Sequence, residues 1–271
     1  MMRALYTAAS GMRAQQTNVD NISNNIANVN TTAFKSQKTE FKSLLYQTIQ
    51  TRTTSANGEE KPIGAQVGLG TRVASNTTSY TQGALLEDES KSAFAIEGNG
   101  FFQVRGADGT TYYTRNGNFN WSIGPTGTTL TNTDGYPVLD SNGKAIVLPN
   151  NVNSGKAVVT TDGQVGYYNN AGAYVSMNRT IGLSQFNNPA GLEKAGSNLL
   201  RATNASGAAL NEATNANLTR SKIHQGYLEG SNVQVADEMV NLIVAQRAYQ
   251  LNSKAITTSD DMLEQANNLK R

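Results

Sequence analysis

The sequence predicts an α+β protein: helices from the two ends of the chain, discontinuous in sequence, form a coiled-coil-like domain, and a central antiparallel β domain lies between them. Three observations predict it. Near the N-terminus, Leu5, Met12, Val19 and Ile26 fall at seven-residue spacing, with Ile22 and Val29 at the alternate positions. Near the C-terminus, Leu242, Tyr249, Ile256 and Leu263 repeat that spacing. Between the two runs, Asp-Gly and Asn-Gly pairs punctuate short β-prone segments. Apolar residues at such a period mark a helix that buries one stripe against another helix. Terminal helices that frame a β middle belong to an assembly subunit more than to an enzyme, and the ten heptad residues are the expected subunit interface. The alternative is that the two helices pair only with each other, inside one chain.

The first helix, from about Met2 to Val29, is built from weak material. Asn18, Asn21, Asn24, Asn25 and Asn28 lie in it and Gly11 interrupts it, and each disfavours a helix interior by a few tenths to about 1 kcal/mol relative to Ala. This helix is expected to form only against partners, with Asn side chains bonding across the interface and setting its register. The second helix has better boundaries. Ser231 and Gln234 fit a capping box, Asp237 and Glu238 occupy the early turns, and Lys270 and Arg271 stand at the far end, each sign where the helix dipole favours it.

Residues 33 to 54 fit a strand or a helix equally. Thr51 to Gly64 is a loop or extended excursion, rich in Thr, Ser, Gly and charge. From about Ser75 to Thr219 the chain reads as β. Asp108-Gly109, Asn116-Gly117, Asp134-Gly135, Asn142-Gly143 and Asp162-Gly163 are expected hairpin turns. Strands such as Phe101-Phe102-Gln103-Val104 and Ala145-Ile146-Val147-Leu148 between them predict a small antiparallel sandwich or barrel. Gln82-Gly83-Ala84-Leu85 returns as Gln225-Gly226-Tyr227-Leu228. The echo marks either the outgoing and returning strands of one domain junction or a coincidence. The expected domains are residues 1–32 with 231–271, a connection of residues 33–74 with 220–230, and the β domain of residues 75–219.

Composition narrows the function classes. Only 15% of residues are charged, against roughly 25% in ordinary domains. Polarity comes from Asn, Thr, Ser, Gln and Gly, whose groups cost less to desolvate against another protein than charges do. A net charge of +2 is too small to argue for nucleic acid. With no cysteine, disulfides, thiolate metal sites and cysteine nucleophiles are excluded. His224 is the one histidine, and nothing around it builds a catalytic triad. Asp260 and Asp261 diverge on a helix, and Glu87-Asp88-Glu89 reads as a solvated turn. No catalytic residue, cofactor or metal is expected. The N-terminus has no long apolar run and no small-residue cleavage site, so it is not a conventional signal peptide.

The same residues carry a family resemblance. Asn24-Asn25-Ile26-Ala27-Asn28-Val29-Asn30-Thr31-Thr32-Ala33-Phe34-Lys35 resembles the N-terminal signature of the flagellar rod and hook axial proteins, which usually have Gly where this chain has Ala33. Gly98-Asn99-Gly100-Phe101-Phe102-Gln103-Val104 with Tyr113-Thr114-Arg115-Asn116-Gly117 resembles their central motif. Ser231-Asn232-Val233 through Arg247-Ala248-Tyr249 resembles their C-terminal signature. The length fits a rod subunit. Leu44-Leu45-Tyr46-Gln47-Thr48-Ile49, followed by an excursion ending near Gly64, resembles the distal-rod branch of the family. There this segment (Tyr46, Gln47, Thr51, Gly58 and Gly64 here) helps keep the rod straight.

The resemblance implies an axial subunit that polymerises helically into a hollow shaft, with the terminal helices inside, around the export channel, and the β domain outside. It also implies the partners: other copies, proximal rod proteins, the hook protein, the flagellar export apparatus, and rod bushing rings where the host has an outer membrane. Export without cleavage would agree with the N-terminus. Two other classes stand beside this one: a secreted β-domain binding module with a helical stalk, and a cell-wall hydrolase, for which the sequence offers no acid pair or metal cluster.

Overall fold

A computed structural model describes residues 2–50, 64–124, 127–149, 152–169, 172–215 and 217–269. The chain divides into two units. One holds the residues up to Ala27, Gln37–Thr78, and the residues from Gln234 onward. The other holds Asn28–Ser36 and Ser79–Val233.

The helical unit contains α1 (Met2–Ala27), α2 (Val235–Asn268) and the strands β1 (Gln37–Ser43), β2 (Tyr46–Gln50), β3 (Ala65–Gly68) and β4 (Thr71–Thr78). The two helices run antiparallel. Gly11 meets Asn252, while Asn25, fourteen residues on, bonds Glu238, fourteen residues back. Gly11 does not interrupt α1. It lies inside a continuous helix, and its missing side chain leaves the room that the Asn252 amide fills. Strands β1 and β4 pair antiparallel, as do β2 and β3. The Leu44 N–H donates to the Gly70 carbonyl and the Leu69 N–H to that of Leu45, which joins the two pairs into one long two-stranded ribbon. Of the stretch that fits either helix or strand in sequence, residues 37–50 form this ribbon's outgoing arm. Of the excursion, residues 51–63 lie outside the described residues.

The β unit opens with β5 (Leu85–Glu87), β6 (Phe94–Glu97), β7 (Phe101–Arg105), β8 (Thr111–Thr114), β9 (Asn120–Gly124), β10 (Gly127–Thr131) and β11 (Val147–Leu148). It continues with β12 (Ala157–Val159), β13 (Gln164–Tyr168), β14 (Tyr174–Thr180), β15 (Leu183–Gln185), β16 (Glu193–Gly196), β17 (Leu199–Arg201), β18 (Leu210–Asn211), β19 (Lys222–Gln225) and β20 (Tyr227–Glu229). Every ladder between them is antiparallel. The largest sheet has the order β16-β17-β8-β7-β15-β18. The main core gathers Phe94, Ile96, Phe102, Phe119, Leu130 and Ile146 among others, and a second cluster gathers Phe101, Tyr113, Phe186, Leu192 and Leu200. Strand β5 pairs antiparallel with β20, so the two Gln-Gly segments lead into neighbouring strands of the β unit.

Two local expectations are corrected. Gly109, Gly135, Gly143 and Gly163 take the positive φ that their turns require. Gly117 does not; a Cβ there would collide with the Phe94 carbonyl, so Asn116-Gly117 is a close backbone approach, not a hairpin turn. The capping box is absent as well. Helix α2 begins at Val235 with Gln234 as its N-cap and no side-chain cap bond, and the Ser231 hydroxyl accepts instead from the Val233 N–H. The cause is Asn232, whose side chain ties this stretch into the β unit before the helix starts. Asp237 and Glu238 do sit in the first turn, while Lys270 and Arg271 lie outside the described residues.

Candidate assembly interface

Helix α2 carries apolar residues on two opposite faces. The face toward α1 holds Glu238, Leu242, Ala245, Tyr249, Asn252, Ile256 and Leu263, at alternating spacings of three, four and seven. Leu242, Ile256 and Leu263 are half-buried there and Ala245 is buried. Tyr249 stays exposed and lines a groove with Gln16, Val19, Gln246 and Gln250. On α1, Ile22 is buried, while Leu5, Met12, Val19 and Ile26 are half-buried. Val29, half-buried, belongs to the β unit. Small or polar side chains (Ala8, Gly11, Ala245, Asn252) stand among the seam residues.

The opposite face of α2 is uncovered. Met239, Val240, Ile243, Val244 and Leu251 all point away from the α1 seam, Val244 with 63% and Leu251 with 70% of its surface exposed. At 100° per residue they fill one broad arc of the helix. Apolar surface of this kind, interrupted by Arg247 between Ile243 and Leu251, marks a candidate protein-binding face. The ribbon is exposed too: Phe41, Leu45, Tyr46, Ile49, Val67 and Leu69 all lie open to solvent, Leu45 at 83%. Tyr46 and Gln47 are in β2, and Gly64 immediately precedes β3. Thr51 and Gly58 lie outside the described residues.

The asparagines of α1 have specific tasks. Asn25 is buried, and its amide donates to the Gln37 carbonyl at 2.9 Å and to Glu238 Oε1 at 3.2 Å while its oxygen accepts from the Gln37 N–H at 3.0 Å. One side chain thus satisfies both backbone groups of the first residue of β1 and reaches α2. Asn21, also buried, donates to Thr39 Oγ1 at 2.9 Å. Burial pushes the Glu238 carboxyl above its usual range, and the Asn25 bond opposes that. Asn24 is exposed on the same helix, and Asn28 accepts from the Thr31 hydroxyl in the β unit.

Within the β unit, Lys35 of the first signature stretch and Arg115 of the central one converge on Glu229, a buried carboxylate that the sequence reading missed. Lys35 Nζ donates to Glu229 Oε1 at 2.5 Å and to the Thr81 carbonyl at 2.8 Å. The Gly83 N–H donates to the same Oε1 at 3.0 Å. Arg115 Nε lies 3.3 Å from Glu229 Oε2, close enough to pair as ions but not aligned as a hydrogen bond. The other end of that guanidinium donates to the Gly98 and Gly100 carbonyls. Burial pushes the Lys35 ammonium below its usual range, and the Glu229 carboxylate works against that shift. Burial likewise lowers Arg115. Two cations around one anion, all nearly dry, is an arrangement in which removal of the anion strands both cations.

The strands around this cluster approach as closely as backbones can. A Cβ at Gly83 would strike the Gly230 carbonyl. Asn232 completes the clasp: its oxygen accepts from the Ser36 N–H at 2.7 Å and its amide donates to the Ser79 carbonyl and the Thr81 hydroxyl, both at 2.9 Å. Phe34 is half-buried beside it, Val233 is buried, and Ser231 is half-buried. Arg247, on exposed α2, bonds Gln250 within its own helix. Ala33 sits at φ +56°, the left-handed region that favours glycine, while its N–H donates to the Glu229 carbonyl. The family's usual Gly at this position has its physical reason there.

His224 pairs with Glu97 at 2.8 Å on partly exposed strands, away from any second catalytic group. Among the described residues no group of three or more His, Asp or Glu side chains could hold a metal ion, and no helix is long and apolar enough to cross a membrane.

Known proteins share this arrangement of signatures. Residues 5–35 match the family model for flagella basal body rod protein, residues 95–167 that for the flagellar hook protein FlgE/F/G D1 domain, and residues 224–269 that for the flagellar basal body rod FlgEFG protein C-terminal region. The chain is 43% identical to the flagellar basal-body rod protein FlgG of Borreliella burgdorferi over the full length of both. It is 42% identical to that of Agrobacterium fabrum, across 96% of this chain and 97% of the other, and 39% identical to that of Bacillus subtilis over the full length of both. A helix pair with an open apolar face and a β unit closed by its signature residues are thus features of a chain that belongs to the FlgG family of flagellar basal-body rod proteins.

Proposed function

We propose that the protein is a structural subunit of the distal flagellar rod, polymerising helically into a hollow, rigid drive shaft that transmits torque to the hook and carries the export channel. The observation that carries this reading is the second apolar face of α2, which α1 leaves open. An exposed strip of that length has no stable place in water and finds one against other copies. Torque transmission needs many interlocked contacts and no reactive group, so the protein acts as a building part and not as an enzyme. The heptad residues Leu5, Met12, Val19, Ile22, Ile26, Leu242, Tyr249, Ile256 and Leu263 belong to an inner, coiled-coil-like layer, with residues 75–219 in the outer one; Val29, past the end of α1, belongs instead with the β unit. The ribbon and the excursion beyond it keep the shaft straight. The neighbours are proximal rod proteins on one side, the hook on the other, and bushing rings where the host has an outer membrane. The export apparatus delivers the chain uncleaved.

The test is electron cryotomography of basal bodies from cells lacking the gene. The expected outcome is a rod that stops short and bears no hook; a full rod with its hook would refute the reading. Deleting residues 51–63 is expected to leave a rod that assembles but curves, and straight rods from that variant would remove the excursion as the stiffening segment.

A further inference from the structure

An asparagine that precedes a glycine is open to attack on its side-chain carbonyl by the glycine's own backbone nitrogen, because no Cβ crowds that nitrogen. The attack needs a carboxamide free to swing, a nitrogen able to lose its proton, and room for the ring that forms. The described residues contain Asn99-Gly100, Asn116-Gly117 and Asn142-Gly143, and the fold treats them differently. At Asn116 the carboxamide is held: its oxygen accepts from the Thr32 hydroxyl at 3.2 Å and from the Asn118 N–H at 3.0 Å. Gly117 is buried against the Phe94 carbonyl. Asn99 is exposed, but Gly100 is buried and its N–H donates to Ser221 Oγ at 3.0 Å. Glu212 Oε1 stands 2.6 Å from the place a Cβ of Gly100 would take, and a carboxylate there opposes loss of the amide proton.

Asn142 meets none of these restraints. It is exposed, and its bond to Asp140 comes from its backbone N–H, not from its carboxamide. Gly143 has φ +73°, and nothing lies within 4 Å of the place a Cβ would take. Its N–H donates to the Asp140 carbonyl at 3.0 Å, a turn bond that a local opening of the hairpin tip releases. Arg105 Nη2 donates to the Gly143 carbonyl, Lys144 follows in the chain, and the Asp140 carboxylate is itself paired with Arg179 at 3.2 Å. The Arg105 cation favours the deprotonated nitrogen. We propose that Asn142 is a deamidation site and reacts first among these pairs. The Gly143 nitrogen bonds to Cγ of Asn142, the Cγ–Nδ2 bond breaks, and ammonia leaves with the backbone proton. Water then opens the cyclic imide at either carbonyl and gives aspartate or isoaspartate, with no oxidant or reductant. The product places a second negative charge beside Asp140, whose Oδ1 fastens the turn by accepting from the Asn142 and Lys144 N–H groups, both at 2.8 Å.

The folded full-length chain is to be incubated at mildly alkaline pH and digested, and each Asn-Gly peptide followed by mass spectrometry, with isoaspartyl methyltransferase labelling to count isoaspartate. Reading the peptides one by one keeps Asn57-Gly58, which lies outside the described residues, apart from the comparison. The expected result is conversion at Asn142 several-fold faster than at Asn99 or Asn116, with aspartate and isoaspartate both formed. The same chain in denaturant should lose that order and convert the pairs at similar rates, since it is the fold that separates them. Equal or faster conversion at Asn99 or Asn116 in the folded chain would overturn the inference. So would an Asn142 that stays intact while the denatured chain reacts, or an order that persists unchanged in denaturant.

Discussion

The β unit and the helical unit dispose of their apolar and charged residues in opposite ways. In the β unit the large side chains Phe94, Phe101, Phe102 and Phe119 are fully enclosed, and the buried ions Lys35, Arg115 and Glu229 are paired with one another. In the helical unit Met239, Val240, Ile243, Val244 and Leu251 face water, and Ala, Gly and Asn stand among the half-buried apolar residues of the seam between the helices. The first pattern is that of a unit complete in one chain. The second is that of a unit which shares its core with neighbours. The difference teaches where stability and assembly reside: substitutions in the β unit should change whether it folds, and those on the open faces of the helical unit should change what it joins.

Several substitutions break or sharpen this contrast. Glu229→Gln has the largest expected effect, a loss of about 3–5 kcal/mol, because Lys35 and Arg115 would remain buried without their counter-charge. Denaturant unfolding followed by the β unit's amide protection measures it, and adding Lys35→Met should recover part of the loss. Gly83→Ala comes next, at about 1–3 kcal/mol, since the new methyl must displace the Gly230 backbone. Ala33→Gly should have the opposite sign. It relieves a left-handed φ that costs an L-residue about 1–2 kcal/mol, less the extra freedom glycine gives the unfolded chain, for a net gain of roughly 0.5–1 kcal/mol in the unfolding free energy.

The smallest effect belongs to the helical unit. Glu238 is raised by burial, so the folded chain holds that proton more tightly than the unfolded chain does. Stability should therefore decline as pH rises from about 4.5 through the raised value. Glu238→Gln should remove that slope and leave a slightly higher thermal midpoint above the window. An unchanged slope would assign the pH dependence elsewhere.

The helices were legible because seven-residue spacing is a local signal, and it places Leu242, Ile256 and Leu263 on the face of α2 that meets α1. The turns were legible at Asp108-Gly109, Asp134-Gly135, Asn142-Gly143 and Asp162-Gly163, where short-range backbone chemistry decides. It failed at Asn116-Gly117, where the Phe94 backbone passes and distance along the chain hides the reason. The capping box failed in the same way, because the tertiary bonds of Asn232 override a local cap. Glu229 was invisible: a glutamate between Leu228 and Gly230 carries no periodic signal, and its partners come from residues 35, 83 and 115. The second apolar face of α2 was present in the sequence as Val240, Ile243, Val244 and Leu251, but the stronger heptad drew attention away from it. In sequence the asparagines of α1 show only low helix propensity, whereas their use, the holding of β1 by Asn21 and Asn25, depends on a fold that brings Gln37 and Thr39 alongside.

The bond between Lys35 and Glu229 spans 194 positions of the chain. No fragment that lacks either residues 28–36 or the strand ending at Glu229 contains the complete ionic cluster, whichever end is made or delivered first. A contact of such long range is slow to form, since the loop it closes is most of the molecule. The wiring therefore orders events like a clasp: the cluster is complete only once both margins of the β unit are present.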